Sequence, residues 1–321
     1  MSKIILGMLA IGAFFLALAF GAYPFLDLFH GEGLSILLNL RLPLTFSITL
    51  SGFALGVSGV LLQGLFRNPL ADPALLGFSA GAGFFVIVFL EVLSLLGLSL
   101  AVFNIWLPVI AFLGALFSMG VLFCITRFLD SKQALILLLC GIGFSVFLAA
   151  LASLILIQLS NQGLHLILWW GLGGASLIDK HLLGMAFFLL ILVCFGLKSQ
   201  TKALDVLVLG EEAAESLGVS LKALRVRCLC SVAVLVGVSV ALTGPIGFIG
   251  LMVPHIARIF FGFKHQALLW TSGLLGSSVL LISHALAVCC FSPLELPLGV
   301  ATALLGVPCF FYLLLARELK C

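Results

Sequence analysis

Long apolar runs, not alternation, organise this chain. Residues 134–157 pass with hardly a polar side chain, and 119–124 are apolar throughout. Ten such runs can be drawn, at 4–23, 41–66, 74–90, 105–126, 134–157, 181–197, 226–243, 246–262, 267–290 and 296–316. Most are near the roughly 20 residues that an α-helix needs to cross a bilayer. A transmembrane barrel would instead alternate polar and apolar positions in short segments. The pattern predicts an all-α integral membrane protein of about ten transmembrane helices, in one domain spanning 1–321. The run 246–262 is short and Gly-rich and reads as a partial span. Lys3 and Ala17-Leu18-Ala19 resemble a leader with its cleavage site, but the further runs favour an uncleaved first helix.

Composition narrows the function. Of the 321 residues, 63% are hydrophobic and 8% are charged, against about 25% charged in soluble domains. A soluble enzyme and a disordered chain are excluded. A net charge of +3 on so few sites offers no surface for nucleic acid. With the N-terminus inside and the runs alternating, thirteen of the fifteen Lys and Arg fall on the cytoplasmic side, leaving Arg41 and Lys180 outside. That asymmetry is the positive-inside pattern, and it places both termini in the cytoplasm. Trp106, Trp169 and Trp170 then fall at the outer interface and Trp270 at the inner one. Residues 198–227 hold nine of the 27 charges and form the main cytoplasmic loop.

Several kinds of chemistry are missing. No G-x-x-x-x-G-K-[ST] loop occurs, so the chain has no P-loop for ATP phosphates. Asp27, Glu32, Asp72, Asp179 and Glu295 sit at helix ends or in loops, and Glu91 near an outer end, which leaves the mid-membrane almost without the ionisable groups that ion coupling uses. No catalytic cluster is evident and no metal site is expected. The nine cysteines form no C-x-x-C pair and read as small buried hydrophobes. Energy for uphill transport would have to come from another subunit.

Small residues suggest close packing. Gly52-x-x-x-Gly56, Gly77-x-x-x-Gly81 and Gly244/Gly247/Gly250 set glycines on helix faces. Gly141, Ser145, Ala149 and Ser153 share one face of the 134–157 run, as either a packing seam or a pore lining.

Four stretches are more specific. Arg41-Leu42-Pro43 opens the second span. Arg67-Asn68-Pro69-Leu70-Ala71-Asp72-Pro73 follows it and reads as a two-proline turn. Leu209-Gly210-Glu211-Glu212-Ala213-Ala214-Glu215-Ser216-Leu217-Gly218 reads as a short helix, with acids at its N-terminus and a glycine stop. Gly244-Pro245-Ile246-Gly247-Phe248-Ile249-Gly250 runs on to Pro254-His255-Ile256-Ala257-Arg258, where a lone His reads as a packing residue rather than a metal ligand. Glu295-Leu296-Pro297-Leu298-Gly299 precedes the last span.

In this order and spacing, from about residue 36 to 317, these motifs resemble the FecCD/BtuC family of ABC-importer permeases for iron–siderophores, haem and vitamin B12. The resemblance implies a BtuC-like type II importer fold in the bacterial inner membrane, with no catalytic site and no cofactor of its own. ATP and Mg would be held by a separate cytoplasmic ABC ATPase, with an external solute-binding protein and a second permease copy as further partners. It implies that Glu211, Glu212, Ala213, Ala214, Glu215, Leu217 and Gly218 couple to the ATPase, and that Arg41 docks the binding protein. The chain departs from the family pattern at Leu44, where a second arginine is expected, and at His284 and Val288, where the pattern has Asp and Arg. The alternative reading is a stand-alone facilitator or ion-coupled carrier.

Overall fold

The computed structural model describes residues 2–20, 32–98, 100–128, 134–174, 180–291 and 296–318. Its secondary structure there is helical: α1 (Ser2–Ala19), α2 (Glu32–Ile36), α3 (Leu42–Phe66), α4 (Phe78–Leu95), α5 (Leu100–Phe128), α6 (Ala134–Leu156), α7 (Asn161–Gly171), α8 (Lys180–Leu207), α9 (Glu211–Ser216), α10 (Leu221–Thr243), α11 (Ile249–Phe261), α12 (His265–Phe291) and α13 (Leu298–Glu318). Seven helical segments are long and apolar enough to cross a membrane, and three shorter apolar ones lie within α1, α11 and α13. Together they make the ten expected apolar helices. At about 1.5 Å per residue, the 13 residues of α11 span roughly 20 Å, short of the roughly 30 Å hydrocarbon core.

α3 and α10 are the centre, with most residues of each helix buried. α2 runs into α3 through a π turn at Leu37–Arg41, next to Pro43, whose ring has no N–H to give and displaces the carbonyl behind it. Thr45, Ser47 and Thr49 turn their hydroxyls back onto the carbonyls of Arg41, Pro43 and Thr45, at 2.7–2.8 Å. These polar groups are therefore satisfied within their own helix.

Lipid gives helices no hydrophobic reason to associate, so close packing must hold them. Gly52 and Gly276 face each other between α3 and α12; a methyl group on Gly276 would lie 2.2 Å from the Gly52 carbonyl oxygen. One on Gly56 would lie 2.2 Å from the Ser272 oxygen. Gly81 of α4 and Gly114 of α5 form a similar pair. Contact this close lets side chains bond across helices. Ser277 donates to the Thr49 carbonyl at 2.8 Å, and the Gln63 amide reaches the carbonyls of Gly250 and Leu251 at 3.2 and 3.1 Å. Gly77 and Gly244 differ from expectation: they adopt φ of +84° and +73° at turns rather than packing on helix faces.

Three further expectations are corrected. The stretch between the 134–157 and 181–197 runs contains a further helix, α7, whose N-terminus is capped by Ser160 accepting from Gly163 N–H. Eleven residues cannot cross a bilayer, so a search for spans passes over it. Trp170 is buried within the bundle, with its ring against Gly83, rather than facing outward as a belt residue. Cys124, Cys289 and Cys290 are exposed on the helix surface, whereas Cys228 is buried. Asp27, Asp179, Glu295, Lys132, Lys320 and Cys321, with the side chains of Lys3, Glu32, Arg127 and Arg317, lie outside the described residues.

Gly56→Val is expected to lower the thermal midpoint and the yield of monodisperse protein in detergent. Overpacking of this kind costs about 1–3 kcal/mol or more. Gly120→Ala, with nothing within 4 Å of the added carbon, should leave both unchanged.

Candidate functional site

One end of the bundle gathers the charges. α8 extends ten residues beyond the predicted span, to Leu207, so the 198–227 loop is mostly helix. There Asp205 Oδ1 accepts from the His265 backbone N–H at 2.9 Å and lies 2.7 Å from its Nδ1. This joins the end of α8 to the start of α12. The His265 ring fills the space that a side chain on Gly64 would occupy, so α3 closes on the same point. Nearby, the Gln63 side chain accepts from Arg258, tying α3 to α11.

α9 follows after Gly210, whose φ is +114°. Glu211 stands in its first turn and binds Arg225 of α10 at 2.9 Å, with Arg67 at 3.9 Å. At the other end, Gly218 takes φ +85° and donates to the Glu215 carbonyl, while Val219 donates to Ala214. This is the Schellman stop expected of a glycine there. Ala214 is completely buried. Glu211 and Ala214 therefore face inward, and Ala213 is half-buried. Glu212, Glu215, Leu217 and Gly218 face outward. Beside them stand Val208 and Leu209, 63% and 68% exposed, and Leu217 at 64%. Sequence motifs did not single out Val208, because an apolar residue at the end of an apolar helix carries no signal.

The proline turn after α3 is built by short-range bonds. Arg67 takes a left-handed φ of 48°, which is uncommon outside glycine. Asn68 Oδ1 accepts from Leu70 N–H at 2.9 Å, and Asp72 Oδ1 from Ala74 N–H at 3.3 Å. The Asp72 carboxyl also meets the Phe248 N–H at the start of α11. Burial pushes it up to about 6 from an ordinary value of 3.8, against the two N–H groups, which favour its charged form.

Gly141 and Ser145 of α6 pack against the end of this turn: a carbon on Gly141 would meet Leu76 at 2.9 Å, and the Ser145 hydroxyl donates to the Leu75 carbonyl at 3.4 Å. Ala149 and Ser153 stay exposed on the same face. At the opposite end, Arg41 turns its guanidinium onto the Leu18 carbonyl at 2.9 Å, closing the C-terminus of α1. Lys180 is exposed and donates to Asn39 Oδ1 at 2.8 Å. The carbonyls of Gly173 and Leu172 accept from Leu298 and Gly299, so the end of α7 is stitched to the start of α13. Leu44 and His284 are half-buried in α3 and α12. Among the described residues, no three His, Cys, Asp or Glu assemble as metal ligands.

The fold matches that of a metal-chelate-type ABC transporter solved in an inward-facing conformation, with a TM-score of 0.86 and 29% identity over 98% of this chain and all of that one. It is the fold of an ABC-importer permease. The FecCD transport family matches residues 5–316, and the chain belongs to that family. The haemin transport permease HmuU of Yersinia pestis is 38% identical over 283 residues, covering 88% of this chain and 84% of that one. The vitamin B12 import permease BtuC of Yersinia pseudotuberculosis is 37% identical over 290 residues, covering 89% and 84%. The chain is thus a multi-pass membrane transport subunit.

Two measurements check these contacts. Asp72 binds its proton more tightly when folded, so its contribution to stability is present below about pH 4 and is lost as pH rises through about 6. The loss is on the order of 3 kcal/mol. Thermal midpoints measured in detergent from pH 4 to 7 should fall more steeply for the wild type than for Asp72→Asn. Arg225→Gln should raise amide hydrogen exchange across 211–219 while leaving 230–243 protected.

Proposed function

We propose that this chain forms the translocation pathway of an ATP-driven importer for a bulky chelate, either an iron–siderophore, haem or cobalamin. The observation that carries this reading is α9. It is held by Glu211 and Ala214 on its inner side, yet it presents Leu217 with Val208 and Leu209 beyond the apolar spans. Apolar residues held rigidly outside a membrane suit a protein partner. A cytoplasmic ABC ATPase is that partner, with ATP and Mg bound on its own chain. Force on α9 would pass through Arg225 into α10 and, through α8 and Asp205, into α12. The chain performs no covalent chemistry.

The basic end of the bundle faces the cytoplasm, which puts both termini inside the cell. The solute then arrives at the far end from an external binding protein. Arg41 has a structural duty at α1, so Lys180 is the exposed cation best placed for that docking. Ala149 and Ser153 line the pathway only once a second permease copy closes it, because within one copy their face is open. Membership of the family and the charge-poor spans both favour this reading over a stand-alone carrier.

Leu209→Asp with Leu217→Asp tests it. The permease should still insert and purify as a monodisperse species, while co-purification of the ATPase and uptake are both lost. Full uptake by this variant would remove α9 from coupling.

A further inference from the structure

A cavity of about 730 Å³ lies between α1, α3, α8 and α12. Its wall includes Phe14, Phe53, Phe187, Ile191, Trp270 and Leu274. Nothing ionisable lines it except the Cys194 thiol. Two smaller cavities continue it toward the basic end, of about 260 and 460 Å³. The first shares Phe53, Cys194, Phe195 and Trp270 with the main cavity and adds Lys198, Thr201 and Gln266. The second shares Trp270 and Leu274 and adds Lys264. The whole is a space with an apolar body and a cationic mouth.

Its dimensions match one leaflet. Along α8 the apolar lining runs from Phe187 to Leu197, or about 15 Å at 1.5 Å per residue, with Lys198 and Thr201 beyond it. That is about half of a roughly 30 Å hydrocarbon core. On α12 it runs from Ala267 to Ser277, which is the same number of residues, with Lys264 and Gln266 beyond it. The cavity therefore stops near mid-membrane. A helix from a second copy would cover the full thickness, whereas an acyl chain entering from one surface ends there.

The mouth selects for charge. Lys198 and Lys264 are exposed, and among the described residues no carboxylate pairs with either. No Asp or Glu lines any of the three cavities. Gln266 and Thr201 add hydrogen-bond donors at the same depth. Trp270 is 54% exposed and lines all three spaces, as an aromatic residue at a membrane interface does.

We propose that this space is a binding site for an anionic glycerophospholipid, with one acyl chain between α1 and α8 and the phosphate at Lys198 and Lys264. The lipid completes the packing of α1, whose Ile11 and Phe15 are largely exposed in the protein alone. The site is independent of what the protein transports.

Brominated lipids test it, because bromine quenches indole emission at contact. The full chain is reconstituted in phosphatidylcholine bilayers, and dibromo-phosphatidylglycerol or dibromo-phosphatidylcholine is added at equal mole fraction. Trp270→Phe identifies the share of the emission that comes from Trp270. The glycerol lipid should quench that share at a lower mole fraction than the choline lipid. Lys198→Gln with Lys264→Gln should reduce the preference by on the order of tenfold, and Lys198→Arg with Lys264→Arg should retain it. Equal quenching by the two lipids would overturn the proposal, as would a preference that survives the glutamine pair. Failure of both lipids to quench Trp270 would show that protein, such as a second copy, covers the site.

Discussion

Backbone contact between α3 and its neighbours is the constraint on which the rest depends. In lipid the apolar surface of a helix gains little by leaving its solvent, so dispersion and polar contacts at close range must hold the bundle. Gly52, Gly56 and Gly59 form a bare stripe along α3, facing Gly276, Ser272 and Gly250. Removing three side chains brings the backbones of two helices, α12 and α11, into contact with α3. Once they are that close, Ser277 and Gln63 can reach carbonyls on other helices. Each such bond joins groups that hydrocarbon would otherwise leave unsatisfied.

The basic end builds on this centre. Gly64 continues the same stripe and makes room for His265, which meets Asp205. One more turn brings α3 to Arg67 and to Glu211 of α9. The short helix is thus referred back to the central helix by two routes, through α8 and through Arg67. The partly exposed ion pairs of Glu211 are individually weak, about 1 kcal/mol or less. Their value is geometric: they fix the direction in which α9 presents Leu217. An isolated six-residue helix would not hold its shape in water.

The two ends differ in kind. At the basic end side chains make the joints. At the other, backbone meets backbone: Leu298 and Gly299 donate to the carbonyls of Gly173 and Leu172, and Gly244 lies against the Trp170 carbonyl. Leu44 of α3 and Val288 of α12 stand where the resemblance led arginines to be expected. Arg41, the one that remains, closes the C-terminus of α1, where a cation meets unpaired carbonyls.

Apolar runs alone determined that the chain is a helical membrane protein of about ten spans, because hydrocarbon admits no unpaired backbone and leaves helices as the solution for continuously apolar segments. The stop at Gly218 and the turn at Asn68–Asp72 were equally legible, since their chemistry is local. The ordered motifs carried the family. What the tertiary structure decided is non-local. The sequence showed glycines at 52, 56 and 250 but not that the first two meet α12 and the third meets Gly59 of α3. It marked Glu211 to Gly218 as one set, whereas packing divides them into residues that hold α9 and residues that it presents. It gave Asp205 and His265 no relation, because the 60 residues between them leave no periodic trace. Gly141 and Ser145 shared a face with Ala149 and Ser153, and only the fold laid the proline turn over the first pair and left the second open.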